Sequence, residues 1–155
     1  MASTRFPDLS IPLPNGARIS IIMTMPFFLV HAAALAVFWV KFHWWYPVTC
    51  LGVFLVRMFF VSAGYHRYFS HRAFKTSRVF QFVIAWIATS SAQKGVLWWA
   101  AHHRHHHKYS DQEDDLHSPT LFGFFWAHIG WIISDRYNAT RMDYIGDFAK
   151  YSELR

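Results

Sequence analysis

Apolar positions in this chain gather into long unbroken runs rather than alternating with polar ones. The first run extends from Ile19 to about Phe42, with His31 as its only ionisable interior residue and Pro26 interrupting the helical pattern near its start. The second goes from Val48 to about Tyr65 and carries one charge, Arg57. Each approaches the ~20 residues that a helix needs to cross a hydrocarbon core. Between them Lys41, His43, Trp44, Trp45 and Tyr46 make an aromatic interfacial belt, and Pro47 permits a tight turn. The pattern predicts two antiparallel spanning helices over about residues 22–42 and 48–65. Arg57 should either face a protein interior with a partner or snorkel from a shorter span.

Two further runs are too short to span. Val79 to Thr89 is strongly apolar for about 11 residues before Ser90, Ser91, Gln93 and Lys94 appear, which suits an interfacial or re-entrant helix. Residues 121–133, LFGFFWAHIGWII, are similarly short and aromatic, and should lie on the membrane surface. Residues 1–18 hold three prolines and no apolar core segment, so a polar arm with little regular structure is expected there, and no signal peptide. The predicted class is all-α without a sheet: an integral membrane helical hairpin plus interfacial helices.

Composition agrees with a membrane class. The chain has 155 residues, 54% hydrophobic and 20% aromatic, and only 15% are charged. Soluble domains usually carry about a quarter charged residues. The net charge of +6 does not point to nucleic acid, because the basic residues do not form a stripe interleaved with exposed aromatics. Arg67, Arg72, Lys75 and Arg78 instead follow an apolar run, as cytoplasmic anchoring residues do. The single cysteine, Cys50, can form no internal disulfide and is expected to be buried and inert.

The chemistry lies in the histidines. Of 11, seven fall in two groups: His66 and His71 as H-x4-H at the end of the second run, and His102, His103, His105, His106 and His107. On a helix, residues three and four apart share a face, so His103, His106 and His107 can converge on a metal. The H-x4-H spacing is slightly too wide for one face, and fits a helix whose last turn unwinds to bring His71 beside His66. Imidazole suits iron, copper, zinc and nickel. Many histidines without a cysteine partner argue against a structural zinc finger, and five exceed what one tetrahedral ion needs, which suggests two metals. His31 and His43 read as a packed and an interfacial histidine. If both groups bind one centre they lie on one side of the membrane. Residues 72–101 are too short to cross twice, so Val79–Thr89 must return to the side it left. The basic residues after His66 make that side cytoplasmic.

Three segments, SAGYHRYFSHRAFKTSR, WWAAHHRHHHKYSD and GFFWAHIGWII, resemble in order and spacing the acyl-CoA and acyl-lipid desaturases, membrane di-iron enzymes that place a double bond in a saturated acyl chain. The resemblance covers about residues 19–137, which it implies is the N-terminal half of a desaturase domain. Residues 1–18 would be a cytoplasmic arm and 138–155 the start of a cytoplasmic linker. It implies His66, His71, His103, His106 and His107 as metal ligands and Gln93, Trp99, Trp131 and Arg136 as substrate-binding residues. It implies two irons, O2, an acyl-CoA or acyl-lipid substrate, and electrons from a ferredoxin or cytochrome b5-type donor. His102 and Asp135 depart from the charged residues of animal relatives at those positions, and Leu116 stands where they carry proline. The family's third histidine box and second hairpin are not among these 155 residues, so the chain is expected to be a fragment, inactive when expressed alone.

Two other functions fit the same residues. A lipid hydroxylase or ketolase would use the same scaffold and yield a hydroxylated chain with no alkene. A non-catalytic metal-handling membrane protein would place its ionisable residues along a mid-membrane pathway, whereas these cluster at one boundary. Asp111, Glu113, Asp114 and Asp115 lie close enough to the second group to hydrogen-bond a ligand's outer nitrogen.

Overall fold

The computed structural model describes residues 10–13 and 16–155, so the first half of the expected arm lies outside the described residues. The rest of the arm holds a departure from the all-α expectation. Ser10–Pro12 (β1) and Arg18–Ser20 (β2) pair antiparallel, with Ser10 opposite Ser20. Gly16, at φ +78, makes the turn between them. The ribbon is fastened at its far edge, where the Arg18 amide donates to Asp135 Oδ1 at 2.8 Å and Ile19 bridges Ser134.

Helix α1, Ile21–Ala34, begins where Ser20 Oγ accepts from the Met23 amide, and a 3-10 turn continues it to Trp39. Pro26 does not interrupt it: the helix carries the residue inside, one backbone hydrogen bond short. Helix α2, Trp45–Phe60, runs on without a break into a π-helix, Val61–Ser70, so the second long helix has 26 residues and ends later than the apolar run does. Both helices are long and apolar enough to cross a membrane. Thr24 is the only buried residue of α1, and α2 buries none. Their outer faces are apolar and exposed, with Phe38, Trp39 and Phe59 among them, as suits helices that could lie in lipid. Cys50 sits on this exposed surface of α2, not in a core as expected. Arg57 is also exposed, without a salt bridge among the described residues.

The core lies beyond the hairpin. Helix α3, Arg78–Thr89, is capped by Ser77 Oγ and buries Gln81, Ile84, Ala85 and Ala88 at helical spacing, leaving Val79, Phe80 and Trp86 outside. The π-helix packs on this face through Tyr65, Tyr68 and Phe69, and Tyr68 donates to Gln81 Oε1 at 2.9 Å. Helix α4, Val96–Tyr109, brings Val96, Leu97, Ala100 and Ala101 onto the same core, and its buried face continues into His102 and His105. The 121–133 run forms α5 (Pro119–Phe125), a π turn (Trp126–Gly130) and α6 (Trp131–Ile133), with a kink at Gly123, φ +80. Phe124 and Phe125 are exposed, while Trp126 is buried and donates to the Leu116 carbonyl. Residues 142–154 fold back over the core. In this segment α7 (Gly146–Ala149) and the residues beside it bury Ile145, Phe148 and Leu154, and Arg78 forms a two-bond ion pair with Glu153.

Candidate metal centre

The two histidine groups meet where the π-helix crosses α4. The π winding answers the spacing puzzle differently from the expected unwinding. A π-helix bonds residues five apart, and the His71 amide donates to the His66 carbonyl at 3.1 Å. The turn widens, and positions 66 and 71 stand together with Nε2 atoms 3.1 Å apart. On α4, His103 and His107 are i, i+4 neighbours with Nε2 atoms 2.9 Å apart, and His103 Nε2 lies 3.3 Å from His71 Nε2. The ligand atoms of these four side chains all lie within 4.8 Å of one another. An imidazole–metal bond of about 2.1 Å puts neighbouring ligand nitrogens ~3 Å apart and opposite ones ~4 Å apart. The three short spacings suit neighbouring ligands of one ion, and the widest, up to 4.8 Å, would have to close by roughly half an ångström on binding.

The ligand chemistry fits as well. Four nitrogens converge with no acid or thiol among them. Burial, with His107 and the other facing imidazoles, pushes the His103 pKa down to about 3, so its lone pair is free at neutral pH. Burial followed by the neighbouring His66 and His107 lowers His71 too.

His106 stands apart from this cluster. Its Nδ1 lies 2.8 Å from Asp115 Oδ1, and its ring stacks on His117 at 4.3 Å. With Nδ1–H donated to the carboxylate, Nε2 keeps its lone pair, the arrangement found behind metal-bound histidines. Of the four acidic candidates, Asp115 alone holds a histidine ring through its carboxylate. It is 1% exposed. Burial opposes its charge, but hydrogen bonds from His106 and from the Asp111 and His117 amides outweigh this and hold its pKa below the usual range. Asp115→Asn would turn an amide N–H toward one of these donors. A loss of about 1–3 kcal/mol is expected, read as a lower unfolding temperature in detergent.

His102 and His105 are both buried. His105 lies between the Asp114 carbonyl, 2.7 Å from Nε2, and Arg141, 2.8 Å from Nδ1. His102 is bonded to the Trp98 carbonyl, and burial pushes its pKa down to about 4. Neither reaches the four-histidine cluster.

Beside the cluster is an apolar cavity of about 540 Å³, within the usual range for ligand pockets. Gln93, Trp99 and Trp131 line it, three of the four expected substrate-binding residues, together with Phe27, Val30, Lys94, Trp98 and Ile132. Trp99 joins cavity to metal site: its ring stacks on His103 at 4.7 Å and on Tyr65 at 5.3 Å, and its Nε1 donates to Gln93 Oε1. Trp131 lies between Trp98 and His117, at 5.5 and 4.7 Å. Ala92 and Lys94 hold positive φ in the cavity wall, the kind of backbone strain that clusters at functional sites. Arg136 lies elsewhere, in a smaller pocket of about 170 Å³ with His105, Asp114 and Arg141. The sequence reading missed His31, which lines the large cavity with Nδ1 bonded to the Phe27 carbonyl at 2.7 Å. An ionisable residue within a spanning helix was the available signal.

No family model matches the chain. Among curated proteins, it is 40% identical over 111 residues to a hex-5-enoyl-[acyl-carrier protein] acetylenase of Moorena producens, covering 61% of this chain and 35% of that protein. It is 33% identical over 137 residues to an sn-1 stearoyl-lipid 9-desaturase of Synechocystis, covering 83% of this chain and 42% of the relative. This chain is homologous to the fatty acyl desaturases. A Delta(9)-fatty-acid desaturase of Caenorhabditis elegans, 32% identical over 104 residues, covers 66% of this chain and 30% of itself, so the homology reaches well beyond bacteria. The chain thus spans 30% to 42% of the length of these relatives.

Proposed function

We propose that this chain forms the histidine-rich part of a membrane di-iron desaturase that introduces a double bond into a saturated acyl chain. The observation that carries the reading is the convergence of His66, His71, His103 and His107 beside an apolar cavity walled by Trp99. These four would hold one iron, and His106, backed by Asp115, offers a nitrogen to a second. Iron bound there would supply the oxygen-dependent oxidation that amino-acid side chains cannot perform. The protein's own residues have the remaining work. The cavity would hold the acyl chain in a bent, apolar path away from water, and Trp99, locked by Gln93 and Tyr65, would fix how that chain passes the metal site. Asp115 holds the His106 ring in one tautomer and one orientation.

Arg136 and Arg141, in the smaller pocket, suit an anionic head group: coenzyme A, carrier-protein phosphopantetheine or lipid phosphate. The histidine boxes would face the cytoplasm, where a ferredoxin or cytochrome b5-type donor delivers electrons. The N-terminal arm shares that side, and residues 19–137 make up the desaturase part.

The test is made at the native locus. His66→Ala there should remove at least one unsaturated acyl species from extracted lipids and thioesters, with its saturated precursor accumulating. An unchanged unsaturation profile, or loss of a hydroxylated species instead, would overturn the desaturase reading.

A further inference from the structure

His66 and His71 ride on the π-helix, while His103 and His107 ride on α4, and the space between these elements sets the size of the metal site. Arg104, between two box histidines, points away from the cluster. Its guanidinium uses all five of its N–H donors. Nε donates to the Ser70 carbonyl at 2.9 Å and Nη2 to the Phe69 carbonyl at 2.6 Å. Nη1 donates to the Tyr144 carbonyl at 2.8 Å, and both terminal nitrogens grip the Asp147 carboxylate at 2.9 and 3.0 Å.

Phe69 and Ser70 are the last residues of the π-helix, where backbone carbonyls lack helical partners and a cation is favoured. The next residue is His71. The residue after that, Arg72, has φ +53 and reaches Asp147 Oδ2 at 3.4 Å. His71 is therefore bracketed: its predecessor is held by Arg104 and its successor by the carboxylate that Arg104 grips. The geometry points to Arg104, with Asp147, as a positioning clamp that fixes His71 against His103 and so sets the affinity and geometry of the four-histidine metal site.

This inference rests on the metal reading of that cluster, and its test separates the two. The full chain is placed in nanodiscs as native, Arg104→Lys, Asp147→Asn and the double variant. Lysine keeps the charge but lacks the planar fork that matches a carboxylate and two carbonyls at once.

Without metal, amide hydrogen exchange at His71, Arg72 and Ala73 should quicken at least tenfold in each single variant, with residues 96–101 of α4 unchanged. With Co(II) as the probe, affinity should fall about 10–100-fold, as when partners behind a ligand are lost, and the visible d–d spectrum should change shape. The double variant should be no weaker than the worse single one, because both act through one clamp. Quickened exchange with native Co(II) affinity and spectrum would make Arg104 merely structural and overturn the proposal. So would loss of helical circular dichroism in both single variants. Should the native chain take no Co(II), the metal reading falls, and unaltered exchange in the variants would then remove the clamp as well.

Discussion

Replacing His103 with alanine is expected to abolish tight metal binding by the four-histidine cluster. His103 is its central member, with Nε2 3.3 Å from that of His71 and 2.9 Å from that of His107, and it bridges the two helices that supply the others. Losing even a hydrogen-bond partner behind a ligand costs about 10–100-fold in affinity, so losing this ligand should cost more than about 100-fold. Trp99 would also lose the ring on which it stacks, loosening the cavity wall. Two comparisons make the effect specific. His43→Ala, in the exposed aromatic belt, should bind Co(II) as the native chain does. His106→Ala should leave the tight site intact and lower only the binding that fills after it, because His106 lies outside the cluster. A Co(II) titration followed by visible absorption reads all three.

The second large effect should come from a residue with no side chain. Gly64 sits where the π-helix crosses α3, and a Cβ there would lie 2.8 Å from Ile84 Cγ2 and 3.4 Å from Ala88 Cβ. Both neighbours are buried, so they have little room to yield. Gly64→Leu should lower stability by at least about 1–3 kcal/mol, the usual cost of overpacking. Because Tyr65 and His66 follow directly, the displacement should pass into the metal site and weaken Co(II) binding as well. Thermal unfolding by circular dichroism measures the first effect and Co(II) titration the second. Adding Ile84→Ala to Gly64→Leu should recover much of both, since it removes the opposing atoms. Failure of that second change to help would mean that the contact with α3 does not set the position of the π-helix.

The two long apolar helices were legible because run length and apolarity are local properties. The short 79–89 and 121–133 segments were legible for the same reason. The π-helix was less so. Its clue was the five-residue step from His66 to His71, which read as an unwound turn, because the hydrogen-bond register of a helix end depends on what it packs against. Helical spacing put His106 with His103 and His107, but it cannot show that Asp115, nine positions on, captures the His106 ring. The docking of the β1–β2 ribbon and the return of residues 142–154 depend on contacts more than 70 residues away in the chain, with Asp135 and with Arg78. No local pattern announces these. The cavity was half legible: Gln93, Trp99 and Trp131 came from family resemblance, whereas His31 and Lys94 needed the fold to bring α1 and the α3–α4 turn to one cavity.

X-ray absorption at the iron edge of the chain loaded anaerobically with Fe(II) tests the metal centre most directly. A nitrogen shell at about 2.1 Å, with the outer-shell scattering of several imidazoles, is expected in the native chain and should be lost in His66→Ala and His103→Ala. An oxygen-dominated shell without imidazole scattering, or a native spectrum unchanged by both substitutions, would contradict it.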